Sequence, residues 1–165
     1  MKYELKELSL SMGRPEYEMY QNIPAKESGS TNLGYGIPFE VFPSFIESQM
    51  ARKFQNISDF DTPTLIFIMY VNDYPVGYIG IRTKINEQWR KWSGNIFYVV
   101  RKNERNKGYA TQMLGMALNK LRENGWEEVF LQSSAGNIGS AKAIEHNGGV
   151  LLNEDDGTRY YRIKL

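Results

Sequence analysis

The stretch Arg105–Thr111, "RNKGYAT", follows "IFYVVRKNE" (Ile96–Glu104) and runs into "QMLGMALNKL" (Gln112–Leu121). An apolar run gives way to basic residues around one glycine, and then to a helical period. Ala110, Met113, Leu114, Ala117, Leu118 and Leu121 recur at i, i+3, i+4, i+7, i+8 and i+11, a single core-facing stripe. The spacing predicts a helix over residues 110–124, with Gly125 at the left-handed cap. A helix N-terminus carries unpaired N–H groups and partial positive charge, and so attracts anions. Gly108 clears a side chain from the turn. Arg101, Lys102, Arg105 and Lys107 oppose the helix dipole unless an anion fills the site. A diphosphate fits. No Gly-Lys-Ser/Thr follows, and one glycine is too few for a dinucleotide fingerprint. A solvated basic loop and an RNA-binding patch, with Tyr98 and Tyr109 as stacking residues, remain alternatives.

Outward from this turn, "YELKELSL" (Tyr3–Leu10) reads as a first strand, and residues 14–56 as helix in two pieces. The second piece places Phe42, Phe45, Ile46, Met50 and Phe54 on one face. Between them, "SGSTNLGYGIP" (residues 28–38) predicts a mobile loop. "TLIFIMYV" (Thr64–Val71) is continuously apolar, hence a strand buried on both faces; "NDYP" is a turn and "VGYIGIRT" the hairpin partner. "INEQWRKWSG" is a longer connection before the strand "NIFYVVR". After the helix come a strand "EEVFLQSS", a short helix in "NIGSAKAIEHNGG" with Asn137 as N-cap and Gly148 as stop, and a closing hairpin around Asp156-Gly157. The order implies a mixed α/β sheet with helices on both faces and one right-handed crossover over residues 95–133.

The 165 residues suit one domain, and the balance of 20 basic and 19 acidic side chains argues against a dedicated nucleic-acid binder. The absence of cysteine removes disulfides, thiolate metal sites and a cysteine nucleophile, and the single histidine, His146, excludes a multi-histidine metal site. "MKYELKEL" lacks a signal-peptide core, and Leu65–Val71 is far short of the ~20 residues that span a bilayer. A soluble cytoplasmic protein with no membrane or metal partner is expected.

"YVVRKNERNKGYATQML" resembles the acetyl-CoA signature of the Gcn5-related N-acetyltransferases, the GNAT family: Arg105, Asn106, Lys107, Gly108, Tyr109, Ala110. A second motif, a strand followed by Asn and a short helix, is matched by "VFLQSSAGNIGSAKAIEHNGG", with Asn137 and Ser140 in place. The likeness runs from about residue 64 to the end; "RTKIN" with "HNGG" also resembles a bacterial subgroup of predicted acetyltransferases. The resemblance implies the GNAT fold, a mostly antiparallel twisted sheet of six to seven strands with helices on both faces and one βαβ crossover that binds acetyl-CoA. It implies one domain over residues 1–165, with variable acceptor-side helices in residues 1–60 and the cofactor core in residues 64–165.

The resemblance further implies that pantetheine lies in a wedge between splayed strands and pairs with Tyr98, Val99 and Val100. The pyrophosphate would sit on Arg105, Asn106, Lys107, Gly108, Tyr109, Ala110 and Thr111, and Asn137 with Ser140 would touch the arm. The Val100 amide would stabilise the oxyanion. An amine of a small molecule or peptide would attack the acetyl carbon directly, and a homodimer is allowed. The Tyr that many members use as acid is Ile144 here, and "SGNIFYVV" has no carboxylate. Asn95 could orient a water, and Tyr98 could bond the thiol. A non-catalytic CoA-binding or sensor domain is therefore the first alternative and an RNA-binding module the second.

Other candidates are weighed against ordinary packing: His146 in the short helix, Asn86 and Glu87 before the signature strand, Trp89 and Trp92, and whichever of Tyr160 and Tyr161 faces the cleft. Tyr17, Tyr20, Glu27, Tyr35 and Phe39 are candidates for the acceptor wall.

Overall fold

The computed structural model describes residues 1–27 and 30–165. Antiparallel strands β1 (Tyr3–Glu7), β4 (Thr64–Val71), β5 (Tyr74–Arg82) and β6 (Ile96–Val100) form one sheet in the order β1-β4-β5-β6; β2 (Lys26–Glu27) and β3 (Ser30–Thr31) form a short ribbon. Strands β7 (Glu128–Ser134), β8 (Val150–Asp155) and β9 (Thr158–Lys164) form a second sheet in the order β7-β9-β8. Helices α1 (Arg14–Gln21), α2 (Phe42–Ala51), α3 (Glu87–Trp92), α4 (Tyr109–Glu123) and α5 (Ile138–His146) complete the chain.

The continuous apolar run of β4 is explained by two cores. Ile66, Ile68 and Tyr70 face one cluster with Met19 and Tyr20 of α1 and Phe42 and Ile46 of α2. Phe67, Met69 and Val71 face the other, with Met113, Leu114, Ala117, Leu118 and Leu121 of α4. The helical stripe read from the sequence is thus buried against the sheet, and Gly125 adopts the left-handed cap at φ 80°. The β4–β5 hairpin turns through Asn72 and Asp73, both at positive φ, and the last hairpin through Asp156 and Gly157, the geometry that two-residue turns favour.

Several expectations need correction. The first strand stops at Glu7, although Leu8 still donates to the Ile66 carbonyl. Residues 14–56 hold less helix than expected: β2 and β3 interrupt them, and Phe54 leaves the helical face to stand 80% exposed on a 3₁₀ turn. In the segment expected to be mobile, Ser28 and Gly29 lie outside the described residues. Its remainder is fastened: the buried Asn32 donates to the Tyr20 and Ile23 carbonyls and accepts from Gly34 N. Gln21 brackets the same turn, donating to the Gly34 carbonyl and accepting from Gly36 N. The connection before β6 contains α3, because Asn86 caps it by accepting from Trp89 N.

The β6–α4–β7 crossover is present, but its strands form no ladder. Among the described residues, one bridge joins the two sheets, Gly94 to Leu131, just ahead of β6. Gly94 has φ 73°, and a Cβ there would fall 2.3 Å from the Phe130 carbonyl oxygen, so only glycine lets the two chains approach this closely. Beyond the bridge the strands part, leaving a wedge.

Candidate functional site

One edge of the wedge is β6, and the register decides what it offers. Arg82 N donates to the Asn95 carbonyl, and Arg101 N to the Val76 carbonyl. In an antiparallel ladder the residues that exchange hydrogen bonds alternate with those that do not. Phe97 and Val99 therefore spend their backbone groups on β5, while Tyr98 and Val100 turn theirs toward the wedge. Val99 thus directs its backbone groups to β5, and its side chain packs against the α1–α2 cluster.

The closed end of the wedge is built by Asn95, which is 5% exposed. Its backbone N–H donates to the Phe130 carbonyl at 2.6 Å, so the bond it would normally give the Arg82 carbonyl is missing. Its side-chain Nδ2 supplies that bond at 3.3 Å, and its Oδ1 accepts from Phe130 N at 2.9 Å. One residue thereby ties both sheets. Both ends of the amide take part in the junction. Arg82 reinforces the junction by donating to the Gly94 carbonyl at 3.1 Å, its guanidinium lying against the Trp89 and Phe97 rings. Burial pulls the Arg82 guanidinium down to about 10.

At the open end stands the N-terminus of α4. Gly108 is its N-cap at φ 79°, no side chain caps it, and its first turn has no acidic residue. A Cβ at Gly108 would meet nothing within 4 Å, so the space above the turn is open. Asn106, a non-glycine residue, is held at φ 62°, a left-handed conformation that brings backbone N–H groups together in a concave anion-binding turn. Lys107 is exposed beside the turn and pairs with Glu104 at 2.8 Å. Ala110 and Tyr109 are half-buried, and Tyr109 meets Tyr3 edge-on at 6.4 Å. The Thr111 carbonyl accepts from Asn147 Nδ2 at 3.1 Å, which ties α4 to the end of α5.

Tyr98 and Ser140 are brought together from β6 and α5. The phenol lies 3.0 Å from Ser140 Oγ and 3.2 Å from its carbonyl, and burial pushes the hydroxyl up to about 12. Asn137 caps α5 by accepting from Ser140 N at 3.1 Å. These contacts take Tyr98 and Tyr109 away from any exposed stacking platform. Arg105 does not stand free at the turn. It donates to the Val100 carbonyl and to both oxygens of Glu27.

The remaining candidates disperse. Ile144 is fully buried, His146 is exposed in the last turn of α5, and Tyr161 is buried with its hydroxyl donating to Glu145 Oε1 at 3.1 Å. Tyr160 points to the other face. Tyr17 bonds the Ile37 carbonyl and meets Phe39 edge-on, Tyr20 stacks on Tyr78 inside the core, and Tyr35 is exposed. Trp89 meets Trp92 edge-on and donates to the Ser58 carbonyl. Asn86, Glu87, Arg90, Glu128 and Phe130 line a surface cavity of about 330 Å³ beside Asn95. It lies at the closed end, at the opposite end of β6 from the Gly108 turn. Asn95 as a clasp and Glu27 as the partner of Arg105 are the two site features that sequence reasoning missed. Only the buried polar character of Asn95 within "SGNIFYVV" hinted at the first.

The profile of the Acetyltransferase (GNAT) family matches residues 35–148. Among solved structures, the chain is similar to a ribosomal L7/L12 alpha-N-protein acetyltransferase, RimL, in complex with coenzyme A (12% identity, TM-score 0.72, covering 100% of this chain and 95% of that one). It is also similar to the microcin C7 self-immunity acetyltransferase MccE in complex with acetyl-CoA and AMP (16%, 0.73, 99% and 93%). A third is the Campylobacter jejuni N-acetyltransferase PseH in complex with acetyl coenzyme A (14%, 0.63, 99% and 99%). At these identities the likeness is one of fold. No curated protein matches the chain significantly.

Proposed function

Since the chain belongs to the GNAT acetyltransferase family, we propose that it transfers an acetyl group from acetyl-CoA to a primary amine. The observation that carries this reading is the adjacency of two features. The open edge of β6 at Tyr98 and Val100 leads directly to the uncapped N-terminus of α4. The first offers backbone partners to the amides of a pantetheine arm. The second offers N–H groups at Gly108, Tyr109, Ala110 and Thr111, with Lys107 beside them, to a diphosphate. Asn137 and Ser140 line the side of α5 that faces the arm.

In this reading both substrates are bound together. The acceptor sheds one proton to solvent to become the neutral amine, whose nitrogen attacks the thioester carbon; the carbon–sulfur bond breaks, CoA leaves as a thiolate, and the nitrogen gives up its second proton to solvent. The rate comes from positioning and from the Val100 N–H, which stabilises the charge that develops on the thioester oxygen. Tyr98 remains protonated across the neutral range, since its hydroxyl lies near 12. It is suited to hydrogen-bond the departing sulfur rather than to give up its proton.

The buried Ile144 favours one second reading, a domain that binds CoA without turnover. Calorimetry with acetyl-CoA on the wild type and on Gly108→Trp, followed by thiol release with an amine panel, separates the two. Micromolar binding that the variant loses, with thiol release, supports the transferase. Binding without release from any amine supports the sensor. No binding by folded wild type overturns both.

A further inference from the structure

Arg105 holds two partners that belong to different parts of the chain. Its Nε donates to the Val100 carbonyl at 2.9 Å, and its terminal nitrogens donate to the two oxygens of Glu27 at 2.6 and 2.8 Å. Glu27 lies on β2, in the acceptor-side segment. A single rigid guanidinium spans the gap, so the carboxylate stands one guanidinium's width from the open edge of β6. Three other carboxylates are otherwise engaged: Glu104 pairs with Lys107, Glu145 accepts from Tyr161, and Glu16 accepts from Tyr70 and Gly13.

The Val100 carbonyl is one of the groups that the β5 register leaves for the wedge. An amide entering to pair there must displace Arg105 Nε. The diphosphate of the same molecule offers the displaced guanidinium a more highly charged partner. The Glu27 pair is about a third exposed, at 30% and 36%, and pairs of that kind are weak enough to exchange. Once Arg105 leaves, Glu27 is a carboxylate without its hydrogen-bonded partner, with Lys102 as a remaining cationic neighbour, beside the place where the acyl group would sit.

We propose that Glu27 receives the ammonium group of the acceptor, and that Arg105 withholds it until CoA binding draws the guanidinium onto the diphosphate. The inference rests on the acetyltransferase reading above. It makes binding ordered, cofactor before amine, and it selects acceptors that carry a cationic primary amine. While Arg105 holds it, the Glu27 carboxyl lies below the usual carboxylate range.

Carbon-13 NMR of glutamate-labelled protein tests it, with Glu27 assigned by the isosteric Glu27→Gln variant. In the free protein Glu27 titrates below its ordinary range; saturating CoA returns it upward. Glu27→Gln, which frees Arg105 in advance, binds CoA roughly two- to fivefold more tightly. n-Butylamine then shifts the Glu27 resonance only in CoA-saturated protein. The proposal is overturned if CoA binds and Glu27 does not move, if Glu27→Gln binds CoA more weakly, or if n-butylamine acts equally without CoA or not at all. Failure of CoA to bind sinks the acetyltransferase reading itself, and the exchange with it.

Discussion

Replacing Asn95 by alanine removes both side-chain bonds of the clasp and leaves the Phe130 N–H and the Arg82 carbonyl without those partners. A buried polar group left unpaired costs about 1–3 kcal/mol. The Nδ2 bond is long at 3.3 Å, so the pair together should cost about 3 kcal/mol. For a chain of this size each kcal/mol lowers the melting midpoint by about 2–4 °C, giving a fall of roughly 6–12 °C. The assay is thermal unfolding followed by circular dichroism, with urea midpoints as a second measure. Asn95→Asp should fare no better at neutral pH, because it turns a carboxylate oxygen toward the Arg82 carbonyl; acidification should recover part of the loss. If Asn95 acted only by orienting a water, turnover would fall and the melt would stay put. An Asn95→Ala melt within about 2 °C of wild type would refute the clasp.

Two further outcomes follow from other positions. A Cβ on Gly77 would lie 2.2 Å from the Val99 carbonyl oxygen, opposite Val100, so Gly77→Ala must push β5 and β6 apart and should cost about 3 kcal/mol in a urea titration. Tyr98 ionises near 12 against an ordinary 10.0. The unfolded chain therefore releases this proton first, and the contribution to stability, fully present below pH 10, is lost as pH rises toward 12. Tyr98→Phe should flatten that alkaline limb relative to wild type, as measured by urea midpoints across the same pH range.

Local signals were legible in the sequence wherever neighbours along the chain settle the structure. The stripe from Ala110 to Leu121, the turns at Asn72-Asp73 and Asp156-Gly157, and the caps at Gly125 and Asn137 all depend on residues a few positions apart. The wedge itself was expected only through family likeness. Its construction was not legible, because it depends on distant partners. Nothing in "RNKGYA" announces that Arg105 finds Glu27, 78 positions away. Asn95 had the polarity of a catalytic candidate, but its bonds to Phe130 and Arg82 come from two sheets that meet only in the fold. Parity also had to wait for the register: whether Val99 or Val100 faces the wedge turns on how β6 pairs with β5. The connection before β6 concealed α3, whose 6 residues are too few for a periodic pattern to stand out.

The division into two sheets has a mechanical consequence. The chain's first strand is paired into one sheet and its last into the other; among the described residues the backbone joins the sheets at Gly94–Leu131 and Asn95–Phe130, over a hydrophobic core that both sheets share. Tension applied between the ends must cross this seam. There it loads a few bonds gathered at one point and the core packed beneath them, with no long ladder to share the force in shear. Pulled by its termini in an optical trap, the molecule should part at the seam at low force and leave each sheet intact for a second, higher rupture.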